Sequence, residues 1–224
     1  MKRTKLDDRT LPNYSKENEI FNYVTHIIGG AVGIVALVLC VIKGALNHSA
    51  YAVVGGSIFG ASMITMYTIS SVYHGLSPRL KAKKVMQILD HCTIFVLIAG
   101  TYTPIALCNI REYNTALGWS IFGVVWGAAV LGIVFNSIDL KKYKKFSMIC
   151  YIMMGWCVIV IADKIPMFFT KEAFLLILGG GIVYTIGAIL YGVGKKHLKM
   201  HGIFHICTII ASIMHFFAIY LYVM

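Results

Sequence analysis

The chain has 224 residues, of which 58% are hydrophobic and 13% charged, and its mean hydropathy is +0.78. A soluble domain carries about a quarter of its residues as charged side chains, so these values exclude an ordinary water-soluble fold and indicate a membrane protein. The formal net charge of +11 would suit nucleic acid, but its distribution reads as membrane topology, and no nucleic-acid partner is expected.

Residues 1–19 form a short basic segment, and 20–224 read as a single transmembrane domain. Stretches free of Asp, Glu, Lys and Arg cover 20–42, 44–78, 91–110, 113–138, 146–162, 173–194 and 200–224. Each is about as long as the roughly 20 residues a helix needs to cross a hydrocarbon core. They predict helices over 20–43, 51–76, 85–108, 116–137, 146–162, 173–193 and 201–223, an all-α bundle of seven transmembrane helices. The first run is too long, and begins too far into the chain, to suggest a cleaved signal peptide. Ser77 with Pro78, Asn114, and Gly192 with Gly194 punctuate the links. Gly29 and Gly30, Gly55 and Gly56, and Gly179 to Gly181 suit close helix packing in lipid.

Sixteen of the 20 lysines and arginines precede the first run or fall in the links at 79–84, 141–145 and 195–199. The other four, Lys43, Arg111, Lys164 and Lys171, fall on the opposite side. Positive charge is retained in the cytoplasm, so the N-terminus is expected inside and the C-terminus outside. The same lysines suit anionic lipid headgroups. Cys40, Cys92, Cys108, Cys150, Cys157 and Cys207 lie in or at the ends of predicted spans without a CxxC pair, and read as small apolar fillers rather than disulfide partners.

Ionisable side chains inside a transmembrane helix are costly and mark a site. His74, Asp90, His201 and His205 are of this kind. His201 and His205, four positions apart, place two imidazoles on one helix face, a spacing that binds one metal. Ser70 stands one turn before His74 on another span. At 1.5 Å per residue, His74 lies about 7 Å inward from Arg79, Asp90 about 9 Å from Lys84 and His205 about 9 Å from Lys199, so all share one slab under the cytoplasmic face. Three neutral imidazoles around Zn2+ leave a fourth tetrahedral position open to water, the arrangement of a catalytic site. Asp90 is then placed to orient that water and take its proton, and Ser70 to hydrogen-bond a ligand, an oxyanion or its own helix. His26 lies at similar depth and is the reserve ligand, with an interhelical hydrogen bond the expected alternative. His215 is about 21 Å up the helix from His201, His91 points about 100° away from Asp90, and His48 and His197 fall in links.

SSVYH at 70–74, LDHCTIFVLIAGTYTPI at 89–105, MGW at 154–156, GGGIVYTIGAILY at 179–191, HGIFH at 201–205 and MHF at 214–216 resemble the haemolysin III branch of the progestin and adipoQ receptor family, the bacterial type. With NYVTHIIGG at 22–30, the resemblance covers about nine tenths of the chain. It implies seven helices, a cytoplasmic N-terminus and a multi-pass place in a bacterial cell membrane. From the adiponectin receptors it implies a zinc held by His74, His201 and His205, with Asp90 near the metal-bound water and Ser70 completing the polar set. Similar motifs in alkaline ceramidases, which hydrolyse a lipid amide, imply a membrane lipid as substrate. The expected function is a zinc-dependent hydrolase of a lipid amide or ester at the cytoplasmic leaflet. The alternatives are a non-enzymatic membrane-homeostasis or sensing protein in which zinc is structural, and a cytolysin.

Overall fold

The computed structural model describes residues 3–193 and 199–224, and the expectations for Gly194, Lys195, Lys196 and His197 lie outside the described residues. The first helix, α1 (Lys16–Leu46), begins four residues before its apolar run because the Ser15 hydroxyl accepts from Asn18 N at 3.3 Å and caps it. Glu17 and Glu19 in its first turn suit the positive end of the helix dipole. In the same way Ser49 accepts from Ala52 N at 3.2 Å and starts α2 (Ala50–Gly75), which stops short of Pro78. The two helices meet backbone to backbone: a Cβ on Gly60 would stand 2.5 Å from Leu37 Cα, and one on Gly44 2.7 Å from Val53 N.

Next comes α3 (Lys81–Pro104), the central element. In the span Lys81–Tyr113, 78% of the most apolar stretch is buried, against 17% in Lys171–Gly192. Pro104 lacks an N–H to continue the ladder, and the chain goes on as a π-helix over Ile105–Ile110 before the short α4 (Arg111–Tyr113). Asn114 Oδ1 accepts from Leu117 N at 3.0 Å and opens α5 (Thr115–Gly155), 41 residues long.

The link expected at 141–145 is itself helical. Only Asp139 leaves the helix, at φ −159° and ψ 94°, and its Oδ1 accepts from Lys141 N and Lys142 N, both at 3.1 Å. One residue therefore breaks the first half and caps the second. The helix expected over 146–162 stays α-helical to Gly155, then tightens into a 3₁₀ segment, Cys157–Lys164, and α6 (Ile165–Phe168). The final helices are α7 (Lys171–Val193) and α8 (Lys199–Ala218), the latter ending in a π turn at Ile219–Val223.

Among the described residues, six helices are long and apolar enough to cross a membrane, and the fourth, Thr115–Phe168, runs to 54 residues. The protein is an all-helical integral membrane protein. Its outward faces carry exposed Ile27, Ile28, Val124, Leu131 and Val160, a surface suited to lipid rather than water.

Ahead of α1, the N-terminal arm lies across one end of the bundle. Thr4 N donates to Asp139 Oδ2 at 2.8 Å, Arg3 donates to Ser137 O at 3.2 Å, and Asp7 pairs with Lys81 at 2.9 Å. Burial would raise the Asp139 carboxyl, but the hydrogen bonds from Thr4 and Lys142, with Arg9 nearby, outweigh it and hold it at about 2.

Candidate metal centre

At the arm's end of the bundle, the last turn of α2 carries His74 and the first two turns of α8 carry His201 and His205. The four-residue spacing on α8 stacks its two rings one turn apart. His201 Nε2 lies 3.2 Å from His74 Nε2 and 3.0 Å from His205 Nε2, and one ligating nitrogen from each of the three rings falls within 4.8 Å of the others. His74 and His205 are buried.

The outer nitrogens fix how these rings are protonated. His74 Nδ1 lies 2.6 Å from a Glu19 carboxylate oxygen, and His205 Nδ1 lies 3.2 Å from the Asn22 carbonyl. The Asn22 amide nitrogen also lies 3.5 Å from His74 Nδ1. The much closer Glu19 carboxylate is an acceptor, as is the Asn22 carbonyl on His205, so each Nδ1 carries the hydrogen and, in the neutral ring, each Nε2 keeps a lone pair. A single N–H on His201 Nε2 cannot serve two lone pairs well, and His201 Nδ1 is buried without a partner among the described residues. A cation among the three Nε2 atoms satisfies all of them. A tetrahedral zinc with Zn–N of about 2.0–2.1 Å sets its nitrogens about 3.3 Å apart, close to the two spacings made by His201 Nε2.

Helix α1 surrounds this cluster. Glu19 Oε1 accepts from Lys83 Nζ at 2.7 Å, and Lys83, only 1% exposed, also donates to the carbonyls of His74 and Leu76 at 3.4 and 2.8 Å. The arm covers the cluster from outside: the Tyr14 ring stacks on His201 at 5.2 Å between centroids and meets His74 edge-on at 5.8 Å. Burial pushes the Tyr14 hydroxyl pKa well up, so it stays protonated.

Beside the cluster lies a cavity of about 390 Å³. Ser70, Asp90, His201 and His205 are among its lining residues, together with apolar side chains such as Phe169 and Ile177. Ser70 and Asp90 are thus on the wall shared with two of the three histidines. Asp90 Oδ2 lies 3.7 Å from His91 Nδ1, while His91 itself turns to Gln87 O and Tyr191 OH. His215 is remote and bonds Ile177 O at 3.0 Å through Nε2.

His26 departs from expectation. It stacks flat on His205 at 3.7 Å and lines the cavity, but neither of its nitrogens has a hydrogen-bond partner among the described residues. The predicted interhelical hydrogen bond is absent because the ring meets its neighbour face to face.

Sequence reading passed over Glu19, Asn22, Lys83 and Tyr14. Glu19, Asn22 and His26 stand at i, i+3 and i+7, a polar stripe running into the apolar part of the helix, and that periodicity was the available signal.

The family model described as Haemolysin-III related matches residues 14–216. The chain is 37% identical to Hemolysin-3 of Bacillus cereus over 208 residues, 93% of each chain. It is 35% identical to a Hemolysin-3 homolog of Bacillus subtilis (strain 168) over 93% of this chain and 96% of that one. At 23% identity it also resembles the human Monocyte to macrophage differentiation factor, over 74% of this chain and 68% of that one. The matched region holds α1 with its polar stripe, the SxxxH end of α2, the Asp90 turn of α3 and the HxxxH start of α8, and with near full-length identity above one third it places this integral membrane protein in the Haemolysin-III related family.

Proposed function

We propose that the chain is a zinc-dependent hydrolase that cleaves an amide or ester bond of a membrane lipid at the cytoplasmic leaflet. The observation that carries this reading is the convergence of three imidazole Nε2 atoms beside a largely apolar cavity that His201 and His205 line. His74, His201 and His205 would hold the ion through Nε2. When bound, zinc supplies the Lewis acidity that makes water a nucleophile near neutral pH. Asp90, on the cavity wall, would hold a water, take its proton on a carboxylate oxygen and return that proton to the departing amine or alkoxide, while the Ser70 hydroxyl would donate to the oxygen of the attacked carbonyl. The apolar lining takes the acyl chain and excludes bulk water. Sparse contact between α5 and α7 leaves a side of the bundle through which a lipid enters.

Seven passes with the N-terminus inside fit this reading. Thr115–Phe168, at 54 residues, is about 80 Å of helix against a core of about 30 Å, and it breaks at Asp139. The protein then resides in the bacterial cell membrane, with the site beneath its inner face.

Asp90→Asn keeps size and most hydrogen bonding while removing the base. Zinc content and fold should stay near normal, and the lipid changes seen on overexpressing the wild type should fall at least tenfold, as loss of a general base does. Lipidomics of cells making each protein checks this. An unchanged lipid profile with zinc retained would favour a second reading, in which zinc only pins α2 to α8; its support is that all three donors come from those two helices. The name Hemolysin-3, printed for the Bacillus cereus relative, suggests cytolysis; dye release from protein-free liposomes would be its signature.

A further inference from the structure

We infer that Glu19, clamped by Lys83, is a positioning residue for the metal centre: its carboxylate holds His74 in the one tautomer and orientation that aims Nε2 at the other two histidines. The inference rests on the metal reading above and adds to it a residue outside the ligand set.

The geometry carries it. Glu19 uses its two carboxylate oxygens separately, Oε2 at 2.6 Å from His74 Nδ1 and Oε1 at 2.7 Å from Lys83 Nζ. A buried ammonium group is costly unless paired and hydrogen-bonded. Lys83 meets that condition with three acceptors: the carboxylate and the carbonyls of His74 and Leu76. Because one of those carbonyls belongs to His74 itself, Lys83 ties the acid to the backbone of the residue whose ring the acid orients. The loop after α2, the start of α3 and the first turn of α1 are thereby locked around one imidazole. An ionised carboxylate on Nδ1 also raises the electron density at Nε2, making it a better ligand, and such partners change metal affinity by about 10–100-fold. The other contacts that α1 supplies, the Asn22 carbonyl on His205 and the Asn22 amide 3.5 Å from His74 Nδ1, are neutral. Glu19 is therefore the strongest electrostatic influence that α1 exerts on a ligand ring.

The test compares purified full-length wild type with Glu19→Gln and Lys83→Met, using zinc alone as the probe. Zinc affinity is measured by competition with a chromophoric chelator, and melting temperature with zinc and with excess chelator. Glu19→Gln can still accept from Nδ1 but lacks the charge. Its zinc affinity should fall about 10–100-fold. In chelator it should melt below wild type, because buried Lys83 loses its ion-pair partner. With zinc the gap should widen, because much of the zinc-dependent rise in melting temperature is lost. Lys83→Met should weaken zinc in the same direction.

A Glu19→Gln protein that binds zinc as tightly as wild type would overturn the inference, as would equal destabilisation with and without zinc, which marks a purely structural role. Wild type that binds no zinc would instead overturn the metal reading itself. Should both variants fail to fold, ring-nitrogen NMR of the wild type decides. His74 should show a protonated Nδ1, with its proton shifted downfield by the carboxylate, and an unprotonated Nδ1 would overturn the inference.

Discussion

His215 shares α8 with His201 and His205 but not their surroundings. Its Nε2 is occupied by the Ile177 carbonyl, and its ring meets Tyr184 at 5.6 Å. His201 Nε2 instead faces the Nε2 atoms of His74 and His205, and among the described residues neither cluster histidine has another hydrogen-bond partner at Nε2. Alanine at His74, His201 or His205 should each strip zinc from the purified protein and lower its melting temperature, because two imidazoles leave a tetrahedral ion underbound. His215→Ala should keep about one zinc per chain while losing a buried hydrogen bond, about 1 kcal/mol. Metal analysis by mass spectrometry distinguishes the outcomes, and full occupancy in the His201→Ala, His205→Ala double variant would remove zinc from the account.

Elements were legible where the physics of the bilayer leaves one solution. Runs without charge must be helices, because no other open structure satisfies its backbone in lipid. Within such runs a histidine or aspartate is conspicuous, which is why His74, Asp90, His201 and His205 could be singled out. Glu19 and Lys83 were not, since each stands at a helix end, where charge is ordinary and burial leaves no mark in composition. The break in α5 was placed too widely for a related reason. Four lysines in five residues read as a loop, yet lysine stems lie along apolar surface with their charges outward, and the helix resumes after one residue.

The cap at that break has a measurable value. Asp139→Ala removes acceptors for Lys141 N, Lys142 N and Thr4 N together, and should cost about 1 kcal/mol or somewhat more as a lost N-cap. It should also free the arm, so that limited proteolysis cleaves within residues 3–14. Asp139→Asn, which still caps, should lose less stability. Because the folded carboxyl lies below its ordinary value, the contact contributes stability at neutral pH and loses it only as pH falls toward about 2. Proteolysis of the wild-type arm should therefore be unchanged between pH 5 and 8, and a rise across that window would count against the assignment.

At the scale of the whole molecule, two kinds of observation bear on orientation. The contacts Thr4 to Asp139 and Asp7 to Lys81 bring the arm, the start of α3 and the break in α5 to one end. Asn22 meets His205 at that end, while Lys43 donates to the Tyr220 carbonyl at the other, so α1 and α8 run parallel. Parallel first and last helices require an odd number of crossings if every long helix spans, and the proposed topology meets this by counting the two halves of α5, divided at Asp139, as separate passes. Among the described residues, the end that gathers the arm also holds most of the lysines and arginines, and on the proposed topology the positive-inside bias makes it the cytoplasmic end. A reporter active only outside the cytoplasm should therefore work when fused after Met224 and fail when inserted between 141 and 145. The reverse pattern would move the histidine cluster to the outer leaflet, and activity at both positions would mean that the two halves of α5 do not form separate passes.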